Sequence, residues 1–426
     1  MSTPVERAKI LQNIEKLISE KLFHPWWTIE RVEEKAGNLS KISADFKDAP
    51  DEQFEDRLNG WLAEFGLSHM AFFHTSGRRV PAQFAIGAEL RAFPNGNGYD
   101  WFVQHVAQGG VAHQAGIRLG DAFVAINGQK VSPPDEPRFQ LGEAHEILVQ
   151  PHDQSSTRKV TLDLPKPSEK DRPPMVTPQP VSHETLPNRI GLIRVAAFPG
   201  AIGFDFAQSV DQIINRFKEE ACDRLILDLR GNPGGGLGSL RLMSYLVPDR
   251  RPTGYSLTRK GKATGGIPDG LMRIQRIPET KLRLYAMALR FGVLHRDRSL
   301  SLWTEGFGAQ PFHGKVVLLV DEFTRSAAEM IAAFASRSRI ATLVGASTPG
   351  QVLGAANFRV GGDYRLRMPV TAWYMWDGEL IEGKGVMPDH KVRPSLEDLK
   401  AGKDVQLEKA VNVVLSRNLG LAANAN

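Results

Sequence analysis

Four short segments of this 426-residue chain carry residue types and spacings that can do chemistry. The first is Asp228-Leu-Arg-Gly-Asn-Pro-Gly-Gly-Gly236, directly after the apolar run Leu225-Ile-Leu227. Glycines there let backbone N–H groups approach an oxyanion or a phosphate closely. A plain glycine-rich connection has the same composition, and neither G-x-x-x-x-G-K-[ST] nor a well-placed G-x-G-x-x-G is present to favour a nucleotide. The second is Asp321-Glu-Phe-Thr-Arg-Ser-Ala-Ala-Glu329, at a strand-to-helix junction. A helix N-terminus favours developing negative charge, and the N–H of Ala327 would be free to donate to an oxyanion beside Ser326. Ser-x-x-Glu is also a helix capping box, so Ser326 read alone is more often a cap than a nucleophile.

The third segment is Leu67-Ser-His-Met70. Histidine is the usual base for a serine nucleophile, and the neighbouring Ser68 hydroxyl can fix its tautomer. The chain holds 11 histidines, however, and a single one is more often structural. The fourth is Glu382, in Leu380-Ile-Glu-Gly-Lys-Gly-Val-Met-Pro-Asp389. A carboxylate there can orient an imidazole, although an exposed strand-end glutamate is commoner. No His, Cys, Asp or Glu group has metal-ligand spacing, and His69 and His74 lack the H-E-x-x-H arrangement, so no metal or other cofactor is expected.

The elements that must position these residues read as an α+β multidomain chain. Residues 1–75 form an N-terminal helical region, with Ile10, Ile14 and Leu17, then Leu58, Trp61, Leu62 and Phe65, at helical spacing. Residues 76–165 change to short β-type runs between glycine turns. Among them Asp121–Ile126 is closed by the tight-turn pair Asn127-Gly128, and Ala144–Val149 and Arg158–Leu164 follow. Residues 166–188 are rich in proline and polar side chains and read as a linker. Residues 189–400 form an α/β core. Its strands are Ile190–Val195, Arg224–Arg230, Lys315–Asp321 and Ala341–Val344, and Tyr364–Trp376 is expected to make a hairpin with Glu379–Glu382. The stretch 260–312 is basic and irregular, and residues 401–426 read as a C-terminal helix and tail.

Composition bounds the function. Hydrophobic residues make up 42% and charged residues 24%, ordinary for a globular protein. The net charge of +5 comes from interleaved signs, which argues against a nucleic-acid partner. A single cysteine, Cys222, excludes an internal disulfide framework and reads as a small buried residue. No apolar run reaches the ~18 residues a membrane span needs. The N-terminus lacks the apolar stretch of a secretion signal, so the expected location is cytoplasmic, or periplasmic or secreted if such a signal has been removed.

Together the four segments resemble the tail-specific (C-terminal processing) and tricorn-core serine protease family, in that family's order and over nearly the whole chain. Asp228–Gly236 is similar to its glycine loop, Val317–Phe334 to its strand, nucleophile turn and helix, and Glu382–Asp389 to its closing motif. Gly109-Gly-Val-Ala-His-Gln-Ala-Gly-Ile-Arg-Leu-Gly-Asp121, with Ile126-Asn-Gly128, resembles the PDZ domains of these proteases. In the C-terminal processing branch a lysine serves as base, but the matching stretch here is Pro349-Gly-Gln-Val352, and glutamine cannot accept the proton. The tricorn branch uses a serine–histidine pair from the N-terminal helical region and a glutamate in the closing motif, positions matched by Ser68, His69 and Glu382.

The resemblance implies a serine endopeptidase acting on peptides or unfolded protein segments. Ser326 would attack, His69 would carry the proton, Glu382 would orient the imidazole and Ser68 would bridge the pair. Backbone N–H groups of Gly234, Gly235 and Ala327 would form the oxyanion hole, with Lys384 as a fallback base. A PDZ-like module would capture the peptide, its carboxylate-binding loop being Phe84-Ala-Ile-Gly-Ala88. An oligomer is left open. The alternatives are a non-catalytic ligand- or peptide-binding protein on the same scaffold and a crotonase-like acyl-thioester enzyme. The second explains neither the PDZ-like segment nor a serine at a helix start.

Overall fold

The computed structural model describes residues 4–41, 51–75, 79–96, 98–166, 175–176, 179–200, 202–263, 270–294 and 299–416. At its centre lies the strand Val316–Val320, five apolar residues that are all buried. Side chains alternate across a strand, so Val316, Leu318 and Val320 join one core and Val317 and Leu319 another. The first core is closed by the helices Phe204–Glu219, Gly238–Leu246 and Ala327–Arg337, the second by the helix Val405–Leu415. Burial on both faces is what the continuously apolar strands implied.

The sheet through this strand runs in the order 181–186, 190–195, 224–228, 316–320, 342–345, 390–391. It is parallel except at the Val181–Leu186 edge. In parallel sheets, loops at the C-terminal strand ends form the site of chemistry. Here the adjacent strands Arg224–Asp228 and Val316–Val320 send the glycine loop and the Ser326 turn out side by side.

A second six-stranded sheet covers the far side of the helices. Its strands are Ala71–His74, Tyr364–Tyr374, Pro252–Thr258, Leu300–Trp303 and Met272–Ile274, with Leu353–Gly361 paired to Tyr364–Tyr374. The N-terminal helices Pro4–Lys21 and Asp51–Ala63 pack their apolar faces on it, through Ile14, Phe54 and Leu58 against Val360, Tyr364 and Leu366. The N-terminal region is therefore not separate from the core, because Ala71–His74 is a strand of the core sheet.

A third sheet, in the order 88–95, 98–106, 122–126, 144–150, 158–163, builds the β module with its own core. The Asn127-Gly128 turn forms as expected, folding Gln129–Lys130 back on Ala122–Ile126. Cys222 is buried and unpaired.

Three local expectations change. The hairpin partner of Tyr364–Tyr374 is Leu353–Gly361, while Glu379–Glu382 contributes only an isolated bridge at Leu380. The glycines and small side chains of Leu353–Gly361 hid that strand. The segment expected to be a linker to residue 188 already contains the strand Val181–Leu186, whose pairing with Ile190–Val195 overrides its polar composition. The stretch 260–312 contains the helix Lys281–Leu294 and two short strands of the second sheet.

Candidate active site

The turn carrying Ser326 is built by one carboxyl group. Asp321, at the end of the central strand, accepts from Phe323 N–H at 3.0 Å, Thr324 Oγ1 at 3.0 Å and Gly231 N–H at 3.1 Å. It thereby ties the turn to the glycine loop, and burial holds its pKa well above the usual carboxylate range. Arg325 N–H adds a second tie, to the Asn232 carbonyl at 2.8 Å. The chain then reverses sharply at Ser326, at φ 54° and ψ −121°. A non-glycine residue in that region costs on the order of 1–3 kcal/mol, held by its surroundings. A serine cap needs no such strain; a serine displayed on a sharp strand-to-helix turn does.

Glu329 supplies much of the restraint. Its fully buried carboxylate accepts from Ser326 N–H at 3.2 Å, Thr348 Oγ1 at 2.6 Å, and Gly350 and Gln351 N–H at 2.6 and 2.7 Å. Burial raises its pKa against these four bonds, each of which favours the ionised form. The capping-box bond from Ser326 to Glu329 thus exists, within a larger clamp. Gln351, at the position that matches the lysine of the C-terminal processing branch, holds the Ser326 N–H through its carbonyl at 2.9 Å.

The glycine loop lies against this turn. A Cβ on Gly234 would sit 2.5 Å from Ser326 Cβ, so only glycine permits the approach. Asn232, fully buried, sets the loop's shape by accepting from Gly234 N–H at 2.8 Å and donating to the Val195 carbonyl at 2.9 Å. Of the three N–H groups expected to form an oxyanion hole, Gly234's is therefore already engaged. Those of Gly235 and Ala327 have no partner among the described residues. Asn232 lay inside the sequence motif, but a buried amide's bonds cannot be read from a motif.

Ser68 and His69 arrive from the loop between the helix Asp51–Ala63 and the strand Ala71–His74. Ser68 Oγ is 2.8 Å from His69 Nδ1, and His69 also has positive φ, 61°. The imidazole pKa is lowered to about 3, by burial first and then by the Arg367 and Arg325 guanidiniums. Glu382, buried, accepts from Ser68 N–H at 3.1 Å and Val352 N–H at 2.7 Å. It thus grips the backbone beside the imidazole, and the hydroxyl that meets the ring is Ser68's. Lys384 is largely exposed and faces Glu379 at 3.4 Å.

His69, Ser326, Gly234, Gly235 and Gln351 line a single cleft of about 660 Å³. Distant parts of the chain, from the N-terminal helical region and the α/β core, are brought together here. Phe84 lines the cleft too, whereas Ala85, Ile86 and Ala88 are buried in the β module. Gly87 ends a short helix, and its carbonyl accepts from Ala107 N–H at 2.8 Å. Among the described residues no helix is long and apolar enough to cross a membrane.

Comparison with known proteins matches residues 189–392 to Peptidase family S41. Carboxy-terminal processing protease CtpA of Bacillus subtilis is 26% identical over 294 residues, 67% of this chain and 51% of that protein. Tricorn protease homolog 2 of Streptomyces coelicolor is 24% identical over 393 residues, 86% of this chain and 29% of that one. The chain thus spans about half of the first relative and under a third of the second. The solved photosystem II D1 C-terminal processing protease shares the fold with a TM-score of 0.52 at 18% identity, covering 94% of this chain and 98% of that one. The Ser326 turn, the glycine loop and Glu382 all lie in the part of the chain, residues 189–392, that matches Peptidase family S41.

Proposed function

We propose that the chain is a serine endopeptidase working through an acyl-enzyme, with Ser326 as nucleophile and His69 as base. The observation that carries this reading is the strained Ser326 turn opening into the same cleft as the Ser68–His69 pair. With its proton on Nδ1, His69 donates to Ser68 Oγ and leaves Nε2 as a lone pair. That nitrogen takes the Ser326 proton as Oγ attacks the peptide carbonyl, then delivers it to the leaving amine. The N–H groups of Gly235 and Ala327 receive the oxyanion, and Asn232 keeps the glycine loop in place for them. Glu382 acts one step back from the ring, by fixing Ser68 and the neighbouring Val352. Water then hydrolyses the acyl-enzyme by the same proton route.

The PDZ-like module would hold an extended peptide by strand addition along its strand Ala88–Asn95, which among the described residues pairs with Gly98–Val106 and no other strand. Phe84, between module and cleft, supports a path from capture to cleavage. The deciding experiment is labelling with a fluorophosphonate, followed by peptide mapping. The adduct is expected on Ser326 and its loss in Ser326→Ala, together with all hydrolysis of a denatured protein substrate. Hydrolysis persisting in Ser326→Ala would overturn the reading.

A further inference from the structure

One helix of this chain is apolar on two opposite faces. Lys281–Leu294 connects Met272–Ile274, the edge strand of the second sheet, to its parallel neighbour Leu300–Trp303. Leu284 and Met287, three residues apart, share one face and are half-buried. Leu282, Tyr285 and Leu289 share the opposite face and are 79%, 71% and 69% exposed. Single exposed apolar side chains are ordinary on a protein surface, but three along one helix face form a stripe. A helix apolar all round is normally covered all round. Among the described residues nothing covers this stripe. No residue of the helix joins a hydrophobic core, and its hydrogen bonds outside itself run only to its entry turn. There the Arg283 guanidinium donates to Glu279 at 2.8 Å and the Arg283 N–H to Thr280 Oγ1 at 3.3 Å.

The charge around the stripe indicates what surface fits it. Residues 270–298 hold seven Lys or Arg against two acidic residues, an excess equal to the net charge of the entire chain, +5. The helix itself contains no acidic residue. A second copy of this chain is therefore a poor occupant, since pairing two such helices sets like charges against each other. The stripe is also convex, on a single helix, and a fluid layer covers a convex face without a shaped groove. Leucines and an aromatic ring on one face, with cations around them, are the pattern of a helix lying in the interface of an anionic bilayer. We propose that Lys281–Leu294 docks the protein on an anionic lipid surface, with Leu282, Tyr285 and Leu289 entering the headgroup boundary and the basic residues of 270–298 drawn to the lipid phosphates. This surface is separate from the Ser326 cleft, whose lining takes no residue from 270–298. Docking therefore sets where the chain acts without touching its chemistry.

The test sediments the full chain with vesicles of phosphatidylcholine alone or containing about 30% phosphatidylglycerol. Binding to the anionic vesicles is expected to be at least about 10-fold tighter, since each basic residue near such a surface contributes about five-fold, and to weaken at about 0.5 M salt. Leu282→Ser/Leu289→Ser should lose about 10-fold or more of that binding, and Arg283→Gln about two- to five-fold. These side chains are exposed, so circular dichroism and the unfolding midpoint should stay at the wild-type values. Equal binding to both vesicle types, binding to neither, or binding unchanged in the leucine variant overturns the proposal. Self-association seen in the wild-type chain and lost in the leucine variant, with no lipid binding, would assign the stripe to a second copy instead. Slower hydrolysis of a denatured protein by that variant, again with no lipid binding, would assign it to the substrate.

Discussion

His69 and His105 are both partly buried, yet their surroundings push them in opposite directions. Burial lowers the pKa of each, because an imidazolium loses its hydration. Around His69 the nearby charges are Arg367 and Arg325, and the pKa falls to about 3. His105 meets the opposite sign. Its Nδ1 lies 3.5 Å from Glu89 Oε1 on the adjacent strand, and that carboxylate raises the pKa against the effect of burial. One ring is held as a neutral lone pair in a cleft, and the other is favoured as a cation by the carboxylate beside it. The residue type is the same, and the sign of the neighbour selects the role.

Removing either ring tests these opposed roles with the largest expected effects. His69→Gln is expected to lower turnover about 10²–10⁴-fold, the usual contribution of a positioned base, while the fold persists. In a group that acts as a unit the loss approaches that of Ser326→Ala. Steady-state hydrolysis of a denatured protein, with circular dichroism as control, reads both. A His69→Gln chain retaining near wild-type turnover would show that this lone pair takes no part.

His105 sits where the β module meets the glycine loop, and its removal should act on stability first. A Cβ on Gly231 would fall 1.9 Å from Glu89 Oε1, so this glycine is where the ion pair touches the loop. Gln83 Nε2 also donates to the Gly231 carbonyl at 3.0 Å, and Asp321 accepts its N–H. His105→Gln leaves Glu89 buried without its cation and should destabilise the chain by about 1–3 kcal/mol. Gly231→Ala combines that clash with a φ of +70° and should cost at least as much. Thermal unfolding measures both. An unchanged unfolding midpoint in both variants would mean that the junction carries no strain from the pair.

The pH dependence sharpens the contrast without any substitution. The depressed pKa of His69 contributes stability that is present above the unfolded value near 6.5 and is lost as pH falls towards about 3. The raised pKa of His105 contributes stability that is full below about 6.5 and is lost as pH rises through the folded value. In NMR titration the His69 ring signal should stay flat from pH 8 to about 4, whereas His105 should titrate above its usual value near 6.5. For the same reason kcat/KM should show no His69 limb near pH 6.5. Two histidines titrating together near 6.5 would contradict the opposed environments.

Much of this arrangement was legible in the sequence, and the rest was not for identifiable reasons. The apolar run Leu225-Ile-Leu227 and the glycines after it announced a buried strand and a close backbone approach, because period and composition are local. The meeting of His69 with Ser326 in one cleft was legible only through resemblance, since no local pattern spans that separation. Gly234 was the wrong donor to read as available, because its N–H is taken by an amide two residues earlier. Leu353–Gly361 escaped because its strand character comes from pairing with Tyr364–Tyr374 and not from its own side chains.

Lys384 completes the comparison as a titratable group placed in neither kind of environment. Its side chain is 65% exposed and lies 3.4 Å from Glu379, a contact in which solvent screening leaves little net energy. An amine acting as base must be neutral at the working pH, which in proteins takes burial or a neighbouring cation. Lys384 has water and an acidic partner instead, and it does not line the cleft that holds Ser326. Lys384→Ala should therefore change turnover by less than about two-fold and stability by under about 0.5 kcal/mol. A large loss of activity in Lys384→Ala with His69→Gln still active would move the base from the imidazole to the amine. Of the substitutions considered, this pair separates the two proton routes most directly, because neither side chain contacts the other's partner among the described residues.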